Sequence, residues 1–245
     1  MKLLLTVSYV GTAYCGWQVQ KNGVSVQSVV QNAVEAILGK RYPVTGCSRT
    51  DSGVHARGFR CTVDIDGDAP RISEERIPVA LNTALPDDVA VLCAQYVDGE
   101  FHARYSVKSK RYEYVIHNSR IRDPFLAGRA WSVVPHLDEE RMNRLAKEFI
   151  GTQDFSAFRA AGSDVTDSVR TVYDASVRRE GDKVIFSVSA DGFLYNMVRI
   201  MVGTLVDMAR GRITAELSGI IASRDRKNAG ITAPPDGLSR VEVEY

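Results

Sequence analysis

The 245-residue sequence predicts an α+β fold made of two similar halves. Strand and helix patterns follow one another in the order β-α-β-β-α-β up to residue 97, and a second series of strands and helices begins at residue 109. Between the two series, Asp98-Gly99-Glu100 breaks the strand pattern. We therefore expect two ferredoxin-like (RRM-like) halves, residues 1–103 and 104–245, whose mainly antiparallel sheets flank a central cleft.

The first half opens with a strand and an amphipathic helix. Residues 2–10 place apolar side chains on one side of an extended chain. Residues 25–38 carry apolar side chains at helical spacing, with Ser25 as the N-cap and Gly39 as the terminating residue. The remaining predicted elements are β-rich stretches near 43–49 and 58–65, a helix over 73–85, a turn at 86–88 and a strand over 89–97.

The second half begins with a strand over 109–117, in which aromatic and charged side chains alternate. Further along, residues 193–210 form a long helical pattern. Its part up to Val206 is apolar nearly all round except at Asn196 and Arg199, which predicts a largely buried helix. The other predicted elements are a helix near 138–150, paired strands near 169–179 and 183–190, a helix near 214–223 and a last strand over 237–244.

The composition disfavours several classes of protein. Hydrophobic residues make up 44% of the chain and charged residues 25%, as in an ordinary globular protein. The four cysteines are scattered, without a Cys-x-x-Cys pair or a histidine at zinc-finger spacing, so we expect reduced thiols in a cytoplasmic protein, with no metal and no disulfide. No apolar run approaches the ~18 residues of a membrane span, and the apolar run at the start is too short for a signal peptide.

The net charge of +1 does not by itself indicate a nucleic-acid partner, although local patches rather than totals create the electrostatic field. Basic residues gather in several places, and acidic residues concentrate elsewhere. A basic face with an acidic back is one interpretation, and solvated helix and loop faces are the other. The basic groups are Arg57 with Arg60, Arg104 with Lys108, Lys110 and Arg111, Arg120 with Arg122, and Arg210 with Arg212.

The densest chemical signal lies at residues 46–56, Gly-Cys-Ser-Arg-Thr-Asp-Ser-Gly-Val-His-Ala. Asp51 follows an Arg-Thr pair and stands among small residues, which leave room for a bulky group to approach its carboxylate. One interpretation is a catalytic carboxylate. The other is a turn in which Asx geometry and an ion pair between Asp51 and Arg49 stabilise the loop.

Arg199 needs an explanation of its own, because it lies in the apolar helical pattern. A buried guanidinium must be paired with an anion or bear a desolvation cost of several kcal/mol. Asp51 is one candidate partner. The alternatives are a structural pair with another acid and a side chain that extends to solvent.

Basic and aromatic side chains interleave on the predicted strand at Ser109-Lys110-Arg111-Tyr112-Glu113-Tyr114. Surfaces that stack splayed-out bases show this pattern. Packing in the core, with hydroxyl groups at its edge, is the alternative for both tyrosines.

Taken together, these motifs resemble those of the TruA-type pseudouridine synthases. The segment Gly-x-x-Arg-Thr-Asp-x-Gly-Val-His-Ala at 46–56 carries the strongest likeness, and the resemblance extends across essentially the whole chain. The further matches are Tyr9 with Gly16-Trp17-Gln18, Val26-Gln27, Phe101-His102-Ala103-Arg104, Lys110-Arg111-Tyr112-x-Tyr114, Asp154-Phe155-x-x-Phe158, Arg170-Thr171, Met197-Val198-Arg199 with Gly203, and Ala233-Pro234-x-x-Gly237-Leu238.

The resemblance implies an isomerase that needs no metal, nucleotide or other cofactor. By this resemblance Asp51 is the catalytic carboxylate, Arg199 pairs with it and keeps it ionised, and Tyr112 stacks on a flipped uracil. Leu238 lines the pocket. The implied reaction breaks the N1–C1′ bond of uridine, turns the base and rejoins it through C5, and Tyr112 is also a candidate for removing the C5 proton.

The resemblance also implies an RNA partner. TruA-like proteins act on the anticodon stem-loop of many tRNAs as symmetric homodimers, and we expect the same here, with no membrane and no small-molecule cofactor. Basic side chains would contact the RNA backbone without reading its sequence, so binding should weaken with salt. The candidate substrate-binding residues beside Leu238 are Arg49, Arg57, Arg104, Lys110 and Arg111, with Lys108 near them.

The sequence departs from the family pattern at Val10, Ser48, Phe59 and Ser239-Arg240. These departures leave the four implied site residues in place, but they bear on the loop geometry and on which uridines are modified. Two other interpretations stay open: a synthase with altered RNA targets, and a non-catalytic RNA-binding or RNA-folding paralogue. A metabolic enzyme with Asp51 as general base is disfavoured, because the sequence has no nucleotide loop and no metal-ligand cluster.

Overall fold

The computed structural model describes residues 2–21, 23–66, 72–162 and 165–245. The chain forms two compact units, residues 1–108 with 240–245 and residues 109–239. These units differ from the predicted halves at 104–108 and 240–245, because the end of the chain returns to the first unit. There the N–H of Lys108 donates to the carbonyl of Glu244 at 2.9 Å, and the hydroxyl of Tyr245 donates to the carbonyl of Ala103 at 3.0 Å.

The helices and strands follow the predicted alternation, and the prediction of an α+β fold with mainly antiparallel pairing is confirmed. The first series is β1 (Lys2–Tyr9), α1 (Val26–Leu38), β2 (Val44–Gly46), β3 (His55–Asp64), α2 (Arg76–Asn82) and β4 (Val89–Val97). The second series is β5 (Ser109–His117), β6 (Trp131–Ser132), α3 (Glu139–Lys147), β7 (Gly151–Asp154), β8 (Val169–Glu180), β9 (Lys183–Ala190), α4 (Met197–Ala209), α5 (Leu217–Ser223) and β10 (Leu238–Glu244).

In the first unit the strands lie in the order β4-β1-β3-β10, and β2 pairs with β3. Strand β1 is antiparallel to both β3 and β4. Its side chains Leu3, Leu5 and Val7 share one buried core with Val30 and Val34 of α1. The alternation of β1 and the helical spacing of α1 therefore supply the two apolar surfaces that bury each other.

Helix α1 begins and ends where its local signals predict. The N–H of Ser28 donates to the hydroxyl of Ser25, and Ser28 reaches back to the N–H of Ser25, which makes a reciprocal capping box. At the other end, Gly39 has φ 72°, the left-handed conformation that glycine adopts without strain. Such signals act over three or four residues, so the sequence alone reveals them.

In the second unit the strands lie in the order β5-β9-β8-β7, with β6 parallel to β5. The other pairs are antiparallel. Four buried aromatic rings, Phe149, Phe155, Phe158 and Phe186, form part of the core with centroids 5.2–6.5 Å apart. Strands β6 and β7 were not predicted, because they are short and show no apolar alternation.

Helix α4 begins at Met197 and not at Phe193, so the predicted start was wrong. The reason is Asn196, which has φ 59°, a left-handed conformation that an α-helix does not contain. Residues 195–196 therefore form a turn, closed by the bond from the N–H of Met197 to the carbonyl of Leu194 at 3.0 Å, that leads into the helix. Most of α4 is buried, as predicted. It is 13 residues long, and no helix in the described part of the chain is long and apolar enough to cross a membrane.

Candidate active site

The loop that carries Asp51 joins the end of β2 at Gly46 to the start of β3 at His55. Asp51 is half-buried, and the loop around it is held by main-chain hydrogen bonds. The N–H of Trp17 donates to the carbonyl of Thr50 at 3.3 Å, and the N–H of Gly53 donates to the carbonyl of Tyr14 at 3.3 Å. The segment that follows β1 thus fixes the backbone on both sides of Asp51.

Two glycines allow this close approach between the segment and the loop. Gly16 has φ 95°, and a Cβ atom there would lie 2.3 Å from the carbonyl oxygen of Thr50. A Cβ atom at Gly11 would lie 2.0 Å from the carbonyl oxygen of Val54. Real Cβ contacts are longer than this, so any side chain at either position would displace the loop.

Two buried polar side chains add to the support of the loop. The hydroxyls of Tyr9 and Thr50 share a hydrogen bond of 2.9 Å. His55 is also buried, and its Nδ1 accepts the N–H of Gly11 at 2.8 Å. Sequence reasoning did not assign these supporting roles, although Tyr9 was among the quoted matches. The burial of His55 and its bond to Gly11 favour a structural role for this side chain.

The second unit carries Arg199, which is half-buried on α4. Its Nε donates to the carbonyl of Ala233 at 2.7 Å, and its Nη1 donates to Oδ1 of Asn196 at 2.7 Å. In return, the N–H of Ala233 donates to the carbonyl of Arg199 at 3.1 Å. Arg199 therefore fixes residues next to its own helix, and both of these acceptors, one main-chain carbonyl and one side-chain amide, are neutral.

The extended segment 229–234 lies against α4 and is held there by polar side chains of the helix. The N–H of Gly230 donates to Oγ1 of Thr204 at 2.9 Å, and the N–H of Ile231 donates to Oδ2 of Asp207 at 3.2 Å. Gly203 leaves room for the segment, because a Cβ atom there would lie 1.8 Å from the carbonyl oxygen of Ile231. Thr204 and Asp207, two polar residues of a mostly apolar helix, thus have hydrogen-bond partners in this segment.

Strand β5 carries Tyr112 and Tyr114 on one face, because side chains two residues apart point the same way. Both are buried, and the ring of Tyr112 meets the edge of Phe193 with centroids 5.1 Å apart and planes at 87°. The hydroxyl of Tyr114 donates to the carbonyl of Pro234 at 2.8 Å. Burial raises the pKa of Tyr114, and the positive charge of Arg199 opposes this rise.

Residues 233–238 bring the predicted residues of the second unit close together. Arg199 bonds to Ala233, and Tyr114 bonds to Pro234. A Cβ atom at Gly237 would lie 2.5 Å from the ring of Tyr114, so the chain passes directly over β5 before it reaches Leu238, which is buried. The structure thus places Arg199, Tyr114 and Leu238 on or beside one continuous stretch, and Tyr112 lies two residues before Tyr114 on β5.

The predicted RNA-contacting cations are distributed over both units. In the first unit Arg104 lies 5.7 Å from the ring centroid of Tyr105. In the second unit Lys110 and Arg111 lie at the start of β5. The exposure of most of these cations agrees with a role in binding at the surface. Contact between these cations and RNA stays a prediction. The exposed members are Arg49, Arg57, Arg104 and Arg111, and Lys110 is half-buried.

The positions of the family departures are also defined. The N–H of Val10 donates to the carbonyl of Asp88 at 2.9 Å, and the hydroxyl of Ser48 donates to the carbonyl of Arg49 at 2.9 Å. Phe59 is fully buried. Val10 therefore bonds through its main chain to a residue far away in the sequence, Ser48 bonds to its neighbour, and Phe59 belongs to the core.

Among the described residues, no group of three or more histidine, cysteine, aspartate or glutamate side chains is arranged to hold a metal ion. Cys47 and Cys61 are buried free thiols, Cys15 is half-buried and Cys93 is exposed. Burial raises the pKa of Cys61, and the nearby Cys47 adds to the rise.

A family model described as tRNA pseudouridine synthase matches residues 5–106 and 145–245. The chain is 48% identical to the tRNA pseudouridine synthase A of Acetivibrio thermocellus, over 98% of this chain and 98% of that protein. The chain belongs to the tRNA pseudouridine synthase family. Two further tRNA pseudouridine synthases A, from a Thermoanaerobacter species and from Moorella thermoacetica, are 44% and 45% identical to it, each over 99% of both chains.

The matched ranges of this tRNA pseudouridine synthase family model contain Asp51, Arg199 and Leu238, whereas Tyr112 lies between the two ranges. The relatives nevertheless align over nearly the whole chain, so this stretch has a counterpart in them. A solved structure of a Cbf5-Nop10-Gar1 complex resembles the chain with a TM-score of 0.40 and 13% identity, over 97% of this chain and 57% of that one. That likeness is too weak to carry an argument.

Proposed function

We propose that this chain isomerises uridine to pseudouridine in the anticodon stem-loop of tRNAs. One observation carries the proposal: the chain is 48% identical, from end to end, to a protein named tRNA pseudouridine synthase A. The structure of the first unit supports it, because Asp51 lies on a loop whose backbone is bonded on both sides of the carboxylate. A catalytic group must be held within a fraction of an ångström of its working position.

In the proposed reaction, Asp51 acts as an anion on the ribose or the base of the target nucleotide. Arg199 is proposed to keep Asp51 ionised, because a nearby positive charge lowers the pKa of a carboxylate. Its bonds to Ala233 and Asn196 would set the direction of the guanidinium without neutralising it. The N1–C1′ bond breaks, the uracil turns, and C5 bonds to C1′. The C5 proton is then removed and N1 takes up a proton, so the product is an isomer of the substrate.

The uracil must leave its stack to be reached, which costs a few kcal/mol. We assign the compensating contact to Tyr112, whose ring is held by the edge of Phe193 at 5.1 Å. Leu238 is proposed as an apolar wall that keeps the detached base in place while it turns. Removal of the C5 proton is a second role proposed for Tyr112.

Recognition of the tRNA is proposed to rest on its shape and its phosphates. Cations that are exposed at the surface would bind the backbone and place the anticodon arm without reading bases, so affinity should fall steeply with salt. The cations proposed for this role are Arg49, Arg57, Arg104, Lys110 and Arg111. We propose that the protein works in the cytoplasm.

The active form is proposed to be a homodimer, as the resemblance implies. Analytical ultracentrifugation tests this directly, since the dimer should sediment with twice the 27.0 kDa mass of the chain. A single species of 27.0 kDa at micromolar concentration would contradict it.

The test of the proposed function is pseudouridine mapping on unmodified tRNA transcripts, with wild type, Asp51→Asn and Asp87→Asn. Asp87 is an exposed aspartate of the same unit and serves as the matched control. We expect new pseudouridine in the anticodon arm from wild type and Asp87→Asn, and none from Asp51→Asn, whose tRNA affinity should stay near that of wild type. Turnover by Asp51→Asn at the wild-type rate would refute the role of Asp51.

The same experiment separates the other two interpretations. If wild type binds the transcripts and forms no pseudouridine, the chain is an RNA-binding paralogue without turnover. If pseudouridine forms outside the anticodon arm, the chain is a synthase with altered targets, and Val10, Ser48 and Phe59 become the first residues to exchange.

A further inference from the structure

Arg240 is the largest fully buried side chain of the molecule's described part, with 1% of its surface exposed. It lies on β10 in the first unit. Its Nη1 donates to Sγ of Cys47 at 3.1 Å, and its guanidinium carbon lies 5.3 Å from the ring centroid of Phe59. Cys47 and Phe59 are themselves fully buried. Arg240 and Phe59 are two of the departures from the family pattern, and here they are in contact.

These contacts lead to the Asp51 loop from two directions. Cys47 is the first residue after β2 and lies four positions before Asp51. Phe59 lies on β3 and stacks on Trp17 with ring centroids 4.0 Å apart. Trp17 in turn donates its N–H to the carbonyl of Thr50, the residue next to Asp51. Arg240 therefore contacts the start of the loop directly and its centre through two stacked rings.

A second route through Phe59 ends at the same residue. The ring of Tyr9 lies 5.9 Å from that of Phe59, and the Tyr9 hydroxyl is hydrogen-bonded to Oγ1 of Thr50 at 2.9 Å. Both routes depend on where the Phe59 ring sits, and the guanidinium of Arg240 covers that ring. A shift of Arg240 should therefore move Thr50 and, with it, Asp51.

The free-energy cost of burying its guanidinium indicates that Arg240 does more than fill the core. Burying a guanidinium costs free energy, a thiol is a weak hydrogen-bond acceptor, and an apolar side chain of similar size is often as good or better for stability. What the guanidinium provides is direction, because it is planar and its N–H groups point along fixed lines. An apolar side chain would fill the same space without fixing the sulfur of Cys47 or the face of Phe59 in one place.

We infer that Arg240 is a positioning residue that holds the Asp51 loop in its working geometry through Cys47 and Phe59. The inference rests on the proposed function, because the loop has a working geometry only if Asp51 is catalytic. It does not make Arg240 a catalytic residue, since no atom of Arg240 is assigned to the substrate.

The first test is the steady-state kcat of pseudouridine formation and the KM for tRNA in Arg240→Met, Arg240→Lys and Val63→Ala. Val63 is the matched control, because it is fully buried on the same strand as Phe59 and pairs with Leu3 and Val44 away from the loop. We expect Arg240→Met to lower kcat on the order of 100-fold, since small misplacements of reacting groups have effects of this size. KM should stay near the wild-type value, because the cations proposed to bind RNA are untouched.

Arg240→Lys should recover part of the lost rate, because a positive charge over Phe59 is kept while the bond geometry to Cys47 is not. Val63→Ala should lower Tm and leave kcat unchanged. A wild-type kcat in Arg240→Met would overturn the inference. So would an equal fall of kcat in Val63→Ala at the same loss of Tm, because Arg240 would then matter only for stability.

A second measurement does not need turnover and keeps the inference separate from the proposed function. In hydrogen exchange followed by mass spectrometry, the amides of residues 47–54 should exchange roughly 10-fold faster in Arg240→Met than in wild type, as expected for a loop that opens locally. Cys47→Ala should change exchange in the same direction, and its effect should not add to that of Arg240→Met, because the two side chains act as a pair. Unchanged exchange in both variants would refute the inference even if wild type forms no pseudouridine.

Discussion

The Asp51 loop of the first unit and the segment 229–234 of the second unit are both irregular, yet they are fixed in different ways. Main-chain groups of the residues after β1 hold the Asp51 loop, and glycines at 11 and 16 make the approach possible. Side chains of α4 hold the segment, through Thr204, Asp207 and Arg199. The first arrangement depends mainly on room for two backbones to approach, with two side-chain bonds in addition, whereas the second depends more on polar side chains.

This difference follows from what each region packs against. A loop that meets another loop offers backbone donors and acceptors on both sides. A loop that meets a helix finds most of the backbone of that helix already bonded internally. Side chains of α4 therefore accept the N–H groups of Gly230 and Ile231, while the N–H of Ala233 bonds to the carbonyl of Arg199. Four predictions test this comparison, ordered from the largest expected effect to the smallest.

The largest loss of stability is expected from Gly203→Ala. Its Cβ atom would lie 1.8 Å from the carbonyl oxygen of Ile231, and neither the helix nor the segment can yield without breaking hydrogen bonds. We expect a loss of about 3 kcal/mol or more in the free energy of unfolding, measured by denaturant titration. Gly219→Ala is the control, because α5 offers open space at this position, and it should gain about 0.5–1 kcal/mol. Equal effects at both glycines would show that the segment does not press on α4.

Gly16→Ala probes the loop of the first unit. The substitution adds the strain of φ 95° to a clash 2.3 Å from Thr50, so we expect a loss of roughly 2–3 kcal/mol. Pseudouridine formation should fall on the order of 100-fold, because the clash displaces the residue next to Asp51. Gly181→Ala has φ 59° with open space around it, so it carries the strain alone and should keep full activity. Full activity in Gly16→Ala would show that catalysis does not depend on the geometry of the Asp51 loop.

Thr204→Val removes a polar atom without changing shape. It leaves the N–H of Gly230 without its buried acceptor, and it also removes the bond from Thr204 to the carbonyl of Ile200. We expect a loss of about 2 kcal/mol in the free energy of unfolding. Thr171→Val is the control: its hydroxyl bonds to that of Thr152 in an exposed place, so the variant should stay within ~0.5 kcal/mol of wild type. A matching loss in the two variants would contradict the dependence of the segment on helix side chains.

The smallest effect at neutral pH concerns two tyrosines, one in each unit. Burial is the main cause that raises the pKa of both Tyr14 and Tyr114, and the carboxylate of Asp88 adds to the rise at Tyr14. The unfolded chain then ionises first as pH rises above about 10, so the stability that these groups supply is complete below that value and is lost above it.

Tyr14→Phe and Tyr114→Phe should each cost about 1 kcal/mol at pH 8, through the lost hydrogen bonds to Asp88 and Pro234. Each variant should also lose less stability than wild type between pH 10 and pH 11, by up to ~1.4 kcal/mol for each group. Denaturant titrations at pH 8, 10 and 11 measure both effects. Identical alkaline slopes in wild type and both variants would show that neither hydroxyl is held in its protonated form by the fold.

Much of the fold was predictable because its signals are local. The cap at Ser25 and the glycine at 39 act on neighbouring residues, and they set both ends of α1 correctly. The start of α4 was not predictable, because a left-handed asparagine at 196 has no signature in a run of apolar residues. Strands β6 and β7 are too short for a period to be seen.

The candidate site divides in the same way. Asp51, Tyr112, Arg199 and Leu238 were chosen from motifs, and the family was recognised from many matches in one order. The residues that hold them in place were not found. Thr204 and Asp207 were not singled out within the helical pattern, and Arg240 was noted only as a departure from the family pattern.

By itself the sequence determined the order of helices and strands, the family and the residues expected to carry the chemistry, because periodicity, caps and motifs extend over a few neighbouring residues. Only the tertiary structure decided that residues 240–245 return to the first unit, that Arg240 is buried against Cys47 and Phe59, and that α4 holds the segment 229–234. Those outcomes depend on contacts between residues that are far apart along the chain, which no local pattern records.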